Sequence, residues 1–325
     1  MRTDRSCLIV GAGLAGLTAA HFLKARGFDV MLLDKGWRAG GRMATRLEEG
    51  ATFDYGAQFF TVRESLFADT VSRWLSRGWV QNWFSEGGHT RYRGTDGMKG
   101  LALCMADSLE CLSSTRVSRI EPAESGWRIL ADGGIEVYAR AVILTAPAPQ
   151  ALELIADCAH LLPDSLVQAL GSITFDPCFA VLASLSGPSR VPPPGFVRPE
   201  GGPVAFIGDN TQKGISPLIT ALTIHASAEF SRSSLNFPRA EVEATLLEAA
   251  RPWLGSPVRS VNSHFWKFSQ PVSFCPAPCL FTVQPAPLAI AGDAFAAPRI
   301  EGTFLSGWAA ASRIADELSP GSQKS

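Results

Sequence analysis

The order of apolar and polar positions near the start of the chain predicts a strand, a helix and a second strand. Residues 7–10 form a short apolar run bounded by glycine, as expected for a strand buried on both faces. Helical spacing covers residues 14–26 and ends at Gly27, which suits the left-handed cap of a helix. Residues 28–33 are the second strand, and Asp34 stands at its end. This order is typical of a βαβ unit in a parallel sheet.

The turn between the first strand and the helix carries glycines in a G-x-G-x-x-G spacing. Gly11 permits a tight turn, Gly13 lets the backbone approach a pyrophosphate, and Gly16 lets the helix pack on the strand. The helix N-terminus offers N–H groups and a partial positive charge to phosphates. The acid that ends the second strand lies where a carboxylate accepts ribose hydroxyls. We therefore predict a dinucleotide site that includes Gly11, Gly13, Leu14, Ala15, Gly16, Asp34 and Lys35.

A second glycine pair, Gly40-Gly41, is followed by Arg42 and Met43 and indicates which dinucleotide binds. Nicotinamide dehydrogenases usually continue from the acid straight into another helix. The extension seen here resembles flavoproteins of the amine oxidase superfamily. The resemblance implies that Gly41, Arg42 and Met43 contact the pyrophosphate of FAD.

The C-terminal segment repeats this resemblance. Residues 287–291 are predicted as a strand that Gly292-Asp293 closes, and a helix runs from about residue 301 to 318. In the superfamily this acid binds the ribityl chain and the helix N-terminus faces the flavin, which implies cofactor contacts for Gly292, Asp293, Gly302, Thr303 and Phe304. A helix dipole stabilises the negative charge of reduced flavin. This segment contains no cysteine and no histidine, so we expect FAD to bind non-covalently.

The FAD-binding domain is predicted to consist of three separate pieces, residues 1–56, 97–149 and 283–325. Within them we expect a helix at 99–109, a strand at 114–120, a hairpin of 127–130 with 135–138, and a buried strand at 141–145. Val117 either presents backbone groups to the adenine or belongs to the sheet core.

The two insertions, residues 57–96 and 150–282, are assigned to a substrate domain. Apolar and polar residues alternate there, which predicts a mixed or antiparallel sheet. Strands are expected at 179–186, 203–207 and 218–226, and helices at 149–158 and 239–253. The predicted fold class is therefore α/β, a Rossmann-like FAD-binding domain with a second, α+β substrate domain.

Composition supports a two-domain enzyme and excludes several other classes. The 325 residues, 46% of them hydrophobic, are enough for two cores. A net charge of −1 offers no basic surface for nucleic acid and no polybasic membrane anchor. No apolar run approaches the roughly 18 residues of a membrane span. Residues 1–20 contain the predicted phosphate loop, so we interpret them as mature structure and not as a signal peptide.

The seven cysteines form no CxxC pair, which favours reduced thiols and a cytoplasmic protein. Cys275 and Cys279 lie four positions apart in a proline-rich loop. We interpret them as two unpaired thiols and expect no metal site.

Four further motifs resemble bacterial renalases: residues 53–63 (FDYGAQFFTVR), 145–149 (TAPAP), 222–226 (LTIHA) and 299–302 (RIEG). The resemblance extends over essentially the whole chain. It implies an FAD-dependent oxidase that takes a hydride from dihydronicotinamide isomers of NAD(P)H, returns NAD(P)⁺ and reduces O2 to hydrogen peroxide. A flavin amine oxidase, a desaturase-like dehydrogenase and an FAD-binding protein without turnover remain as alternatives.

Candidate substrate residues come from the insertions. A dihydronicotinamide is a strong hydride donor and demands no general base. The tyrosines stand at positions 55, 92 and 138, so the second half of the chain offers no tyrosine cage for an amine. Strand periodicity in residues 263–268 places Lys267 opposite the histidine and tryptophan, although the strand could also be turned over. The candidates for the substrate cavity are Gln58, Phe59, His225, His264 and Trp266, and Gly56, Ala57 and Gln58 are expected near the flavin ring.

Two of these candidates also fit a core role. A lone histidine in an apolar strand, such as His225, is more often a satisfied buried group, and Trp266 fits a core position as well as a cavity wall. The expected partners are a small-molecule substrate and O2, with no nucleic acid and no membrane.

Overall fold

A computed structural model describes residues 4–319 of the chain, which divide into two compact units. The first unit contains the residues up to Gly41, Ala102–Thr174 and the residues from Pro271 onward. The second contains Arg42–Leu101 and Phe175–Gln270. The predicted α/β fold class is confirmed.

The helices of the described residues are α1 (Leu14–Lys24), α2 (Ser65–Ser76), α3 (Met98–Ala106), α4 (Ala148–Ile155), α5 (Asp164–Gly171), α6 (Ala228–Ser233), α7 (Arg239–Leu254) and α8 (Ile300–Leu318). The strands are β1 (Asp4–Val10), β2 (Val30–Leu33), β3 (Thr45–Glu48), β4 (Ala51–Asp54), β5 (Val80–Glu86), β6 (His89–Gly94), β7 (Cys111–Leu112), β8 (Val117–Ala123), β9 (Gly126–Ala131), β10 (Ile135–Leu144), β11 (Phe175–Leu185), β12 (Phe196–Val197), β13 (Val204–Asp209), β14 (Thr220–Ala226), β15 (Val258–Pro271), β16 (Leu280–Thr282) and β17 (Leu288–Ile290). None of the helices within residues 4–319 is both long and apolar enough to cross a membrane.

The first unit is built on a sheet with the strand order β16-β17-β10-β1-β2-β7. The pairs from β17 to β7 are parallel, while β16 and the side strands β8 and β9 pair antiparallel. Leu8 and Ile9 in β1 are fully inaccessible, as expected for a parallel sheet covered on both faces. A Cβ atom on Gly307 of α8 would lie 2.2 Å from the carbonyl oxygen of Ala15, so α8 packs directly against the backbone of α1.

The second unit is built on a five-stranded sheet with the order β12-β13-β14-β11-β15. Val181, Ile207 and Ile224 from three of these strands form a core with Leu246 of α7. The hairpin of β3 and β4 packs on the same unit, because Phe53 lies against Leu182 and Ala221.

The two compact units have limits that differ from those of the predicted domains. Residues 42–56 and 97–101, predicted with the FAD-binding domain, belong to the second unit, and residues 150–174 and 271–282 belong to the first. The predicted element limits also change. Residues 135–138 and 141–145 are parts of one strand, β10, because its first half pairs with β9 while the rest pairs with β1.

Candidate active site

The predicted cofactor residues of the first unit follow the carboxyl ends of its parallel strands. Gly11 follows β1, Asp34 follows β2, and Gly292 lies just beyond β17; Thr145, which was not predicted as a cofactor residue, follows β10. Because these strands are parallel and adjacent, the residues lie along one edge of the sheet. In open α/β sheets this is the edge where ligands bind.

Gly16 and Gly13 of the first turn are glycine for different structural reasons. A Cβ atom on Gly16 would lie 2.0 Å from the carbonyl oxygen of Gly11, so Gly16 serves close packing. A Cβ atom on Gly13 would meet no protein atom within 4 Å. Gly13 is also the N-cap of α1, and no side chain caps that helix. The open space at a helix N-terminus suits a phosphate group.

The carboxylate of Asp34 organises this turn. One of its oxygens accepts the N–H of Ala12 at 2.6 Å, and the other accepts the N–H of Gly36 at 2.6 Å. Each carboxylate oxygen has a second acceptor position, so ribose hydroxyls still fit. Lys35 is exposed and donates to the side-chain oxygen of Gln150 at 3.2 Å.

The second glycine turn lies beside the first. The N–H of Gly40 donates to the carbonyl oxygen of Ala12 at 2.9 Å. A Cβ atom on Gly41 would lie 3.5 Å from the Cα of Gly13. The first unit thus presents two adjacent glycine turns, and these residues fit a dinucleotide pyrophosphate.

The predicted C-terminal contacts lie at the start of α8. Gly292 donates its N–H to Ser306 Oγ at 3.0 Å, which ties the turn after β17 to the helix. The Thr303 hydroxyl donates to the Arg299 carbonyl at 2.8 Å, and Phe304 is buried. A Cβ atom on Gly302 would lie 2.0 Å from the Ala297 carbonyl oxygen, so this glycine is required by packing.

Val117 is buried at the start of β8, opposite Ala131, and the register shifts immediately after it. A contact between its backbone and adenine stays a prediction. The same holds for the cofactor contacts of Asp293, Gly302, Thr303 and Phe304.

In the second unit, three predicted substrate residues converge on the end of β4. The carbonyl oxygen of Asp54 accepts Nε2–H of Gln58 at 2.6 Å. The carbonyl oxygen of Tyr55 bonds to Nε2 of His225 at 3.1 Å and accepts Nε1–H of Trp266 at 2.9 Å. Residues that are far apart in sequence therefore hold one short backbone segment in place.

His225 acts here as a neutral donor. A carbonyl oxygen only accepts hydrogen bonds, so Nε2 carries the proton. The pKa of His225 is lowered to about 4, mainly by burial and also by the charge of Lys213, against the opposing effect of the hydrogen bond to Tyr55. At neutral pH this histidine is uncharged and orients the Tyr55 carbonyl.

The predicted alternation in β15 is confirmed. Trp266 stacks on Tyr55 with ring centroids 5.4 Å apart, and His264 meets both rings at 5.0 and 4.3 Å. Phe265 faces the opposite way, where it contacts Phe179 of the core. Lys267 is exposed. Burial lowers the pKa of His264 to about 4, with help from the charges of two arginines.

A buried ion pair beneath this segment was not predicted. Lys213 Nζ lies 2.6 Å from Asp54 Oδ2, and the two side chains are 1% and 0% exposed. The other carboxylate oxygen accepts the Thr45 hydroxyl at 2.5 Å and the Met98 N–H at 2.9 Å. Burial lowers the pKa of Lys213, which the Asp54 charge opposes. The signal available in the sequence was an acid that ends an apolar strand and a lysine in the polar run 209–213.

The amide of Gln58 is left with an unpaired atom. Its Nε2 also donates to the Gly56 carbonyl at 3.2 Å, and two carbonyl acceptors fix the orientation of the amide. Its Oε1 is buried and has no hydrogen-bond partner within residues 4–319. That oxygen would lie 3.2 Å from a Cβ atom on Gly208, beside the ring of Phe206. An unpaired buried acceptor costs about 1–3 kcal/mol.

Gly56 and Arg42 approach each other closely. A Cβ atom on Gly56 would lie 1.9 Å from the carbonyl oxygen of Arg42, which also accepts the N–H of Ala57 at 2.9 Å. Arg42 Nη1 donates to the carbonyl oxygens of Phe268 and Ser269 at 3.2 and 3.4 Å. Position 56 therefore has to be a glycine because the Arg42 backbone leaves no room for a side chain. Contacts of Arg42 and the buried Met43 with a pyrophosphate stay predictions.

All seven cysteines are free, including Cys275 and Cys279, as predicted. Burial raises the pKa of Cys279 to about 11, which makes its thiolate scarce at neutral pH.

The lowered pKa of His225 predicts a pH dependence of stability. The pKa of His225 is about 4 in the folded chain and 6.5 unperturbed, so the unfolded chain binds more protons between these values. Stability is therefore full above 6.5 and falls as the pH drops towards 4, by about 1–3 kcal/mol for this residue. Urea unfolding at several pH values tests this. We expect H225Q, which keeps an N–H donor but does not titrate, to flatten the profile, and an unchanged profile would contradict the assignment.

Together, the parallel sheet, the paired glycine turns at its carboxyl edge and the acid after β2 define a dinucleotide-binding protein of the Rossmann type. Comparison with known proteins makes the class specific. Residues 9–73 match the family described as NAD(P)-binding Rossmann-like domain, and residues 65–315 match the family described as flavin containing amine oxidoreductase. The chain belongs to the flavin-containing amine oxidoreductase family and is an FAD-dependent oxidoreductase.

Individual relatives agree with this family. Renalase of Mus musculus is 26% identical over 92% of this chain and 95% of its own length. A hydroxyneurosporene desaturase of Rubrivivax gelatinosus is 49% identical, but over only 19% of this chain and 12% of its own length. The fold is similar to that of a putrescine oxidase triple mutant, with a TM-score of 0.73 at 17% identity over 98% of this chain and 100% of that one.

Proposed function

We propose that this protein oxidises dihydronicotinamides, the isomers of NAD(P)H, with O2 as the electron acceptor. Bound FAD would take a hydride from a ring carbon of the dihydropyridine and, with one further proton, pass both electrons to O2, so that the products are NAD(P)⁺ and hydrogen peroxide. The proposal follows the renalase resemblance, which a 26% identity over most of the chain supports.

The observation that carries the proposal is the lack of an effective base among the candidate substrate residues. Gln58, Phe59 and Trp266 do not titrate near neutral pH. His225 donates its one proton to a carbonyl and has a pKa of about 4, and His264 also has a pKa of about 4. A protonated amine must lose a proton before it yields a hydride, whereas a dihydronicotinamide needs no such step. The candidate set therefore favours the dihydronicotinamide.

Roles for individual residues belong to the same proposal. Gln58, Phe59, His225, His264 and Trp266 would shape the substrate site, and the unpaired oxygen of Gln58 would accept a ligand N–H. Gly11, Gly13, Gly16, Asp34, Gly41, Arg42, Gly292 and Asp293 would hold FAD without a covalent bond. We assign FAD binding mainly to the first unit, substrate binding to the second, and the whole activity to the cytoplasm.

The second candidate is oxidation of an amine or desaturation of a hydrocarbon. The family description and the fold shared with putrescine oxidase favour oxidation of an amine. The partial match to a desaturase favours desaturation of a hydrocarbon. Both activities would need a substrate other than a nucleotide.

Anaerobic mixing of the purified yellow protein with both substrate classes separates these candidates. We expect borohydride-reduced NAD⁺, a mixture of dihydronicotinamide isomers, to bleach the flavin absorbance, and a panel of primary and secondary amines to leave it unchanged. Rapid bleaching by an amine, with no bleaching by the isomers, would contradict the proposal. Bleaching by neither class would favour a protein that binds FAD without turnover.

A further inference from the structure

Five aromatic rings of the second unit form a continuous surface, and only one of them, Phe59, is among the candidate substrate residues. We call it the aromatic platform, and it consists of Phe59, Trp83, Phe84, Phe196 and Phe206. Phe84 and Phe196 are 5.2 Å apart between ring centroids, and Phe196 stacks on Phe206 at 5.8 Å with an interplanar angle of 15°. Four of the five rings are only half-buried. The platform therefore offers ring faces and edges to a ligand.

Arg198 lies over this platform. Its Cζ is 4.9 Å from the ring centroid of Phe196, 5.7 Å from that of Phe206 and 5.8 Å from that of Phe59. The side chain is exposed and stands in the connection between β12 and β13. Contact with several rings restricts the long side chain before any ligand arrives, which lowers the entropy lost on binding.

The guanidinium of Arg198 makes no hydrogen bond and no ion pair with any residue from 4 to 319, including nearby Glu200. Other arginines near the platform are engaged. Arg93 donates to Gly94, Thr95 and Gln81, and Arg91 pairs with Glu86. A guanidinium held against aromatic rings keeps its donors in a planar fork, which matches the oxygens of a phosphate.

The platform is continuous with the candidate substrate residues. Phe59 directly follows Gln58 in the chain. The ring of Phe206 lies 5.8 Å from that of His225, and both Phe206 and the unpaired oxygen of Gln58 border Gly208. A ligand that reaches Gln58 with one end would thus have rings and a free guanidinium alongside it.

We propose that Arg198, held on the aromatic platform, binds the diphosphate of a dinucleotide substrate. The inference rests on the proposed function, because it takes the substrate to be a dihydronicotinamide dinucleotide. It adds a binding site for the diphosphate, a group that a dihydronicotinamide riboside lacks. The diphosphate supplies the negative charge and the acceptor oxygens that would pair with the guanidinium, and the rings give apolar contact to the adjoining ribose or base.

The test uses the FAD-loaded protein and the variant R198M, which keeps the apolar contact and removes the donors. Borohydride-reduced NAD⁺ carries the diphosphate, and borohydride-reduced nicotinamide riboside does not. Anaerobic flavin reduction at several concentrations gives a half-saturating concentration and a limiting rate for each. We expect R198M to raise the half-saturating concentration of the dinucleotide about tenfold or more, to leave that of the riboside unchanged, and to leave both limiting rates unchanged.

A matched control and a second readout keep the result interpretable. Arg251 is also exposed and, within residues 4–319, pairs only with Glu248 on the surface of α7. R251M should therefore leave the half-saturating concentrations of both substrates unchanged. Binding of ADP to the FAD-loaded protein, followed by tryptophan fluorescence, tests diphosphate recognition without turnover. We expect ADP to bind the wild type, to bind about tenfold more weakly to R198M, and to lose affinity at high salt.

Equal losses for the dinucleotide and the riboside, or no change for either, would overturn the role of Arg198 and leave dihydronicotinamide oxidation standing. A different pattern marks failure of the proposed function. If neither the reduced dinucleotide nor the reduced riboside bleaches the wild-type flavin while ADP still binds through Arg198, the diphosphate subsite is supported and the proposed reaction is wrong. If ADP binding is also the same in R198M and the wild type, the subsite is wrong as well.

Discussion

Replacing Gly13 by leucine is expected to leave a folded protein that no longer retains FAD. A Cβ atom at this position meets no protein atom within 4 Å, and the backbone torsion φ of −77° suits any residue. The new side chain instead fills the open space at the N-terminus of α1, where the pyrophosphate would lie. Loss of two charge-assisted hydrogen bonds of about 1.5–3 kcal/mol each weakens binding at least about a hundredfold. The ratio of flavin to protein absorbance after desalting measures the effect.

Two matched variants show whether the effect is specific. Gly171 at the end of α5 also has no neighbour within 4 Å of a Cβ atom, so G171L should stay fully yellow. G16L should lose stability as well as flavin, because its Cβ atom would lie 2.0 Å from the Gly11 carbonyl oxygen. A G13L protein with the wild-type flavin content would contradict the assignment of the first glycine turn.

The second large effect is expected from D54A. This change leaves the Lys213 ammonium buried without its partner, and it removes the acceptor for the Thr45 hydroxyl and the Met98 N–H. Removing one partner of a buried ion pair lowers the free energy of unfolding by about 3–5 kcal/mol, because an uncompensated charge stays buried. Urea unfolding of D54A and wild type at neutral pH measures the difference in free energy.

A surface ion pair in the same unit provides the control. Asp176 pairs with Arg232, whose side chain is 53% exposed, so D176A should change stability by no more than about 1 kcal/mol. K213M should be tolerated better than D54A, because Asp54 keeps two other donors and the new side chain is apolar. A loss below about 1 kcal/mol in D54A would show that the pair does not stabilise this segment.

Local patterns were sufficient for most of the first unit. The strand, glycine turn, helix and terminal acid of residues 7–34 each depend on neighbours in sequence, through periodicity and turn chemistry, and the structure contains all of them. The hairpin of β9 and β10 and the long helices α7 and α8 were predicted for the same reason. Element limits were less accurate, since strand length depends on the partner strand, as β10 illustrates.

The compact units of the structure and the predicted domains divide the chain at different residues. Residues 42–56 continue directly from the cofactor motif and carry no break in sequence. They belong to the second unit because Phe53 packs against Leu182 and Ala221, which lie far away in the chain. No local pattern records such a contact.

The sequence by itself determined the parallel sheet and the two glycine turns, because these follow from spacings within a few dozen residues. Its resemblance to flavoproteins of the amine oxidase superfamily implied FAD. The sequence also named Gln58, His225 and Trp266. Only the tertiary structure decided that all three bind the backbone of Asp54 and Tyr55, that Lys213 neutralises Asp54 from 159 positions away, and that Arg198 lies unpaired over an aromatic platform. Hydrogen bonds and ion pairs between distant segments depend on which strands lie next to each other in the fold. Sequence periodicity describes single strands and helices and carries no information on those neighbours.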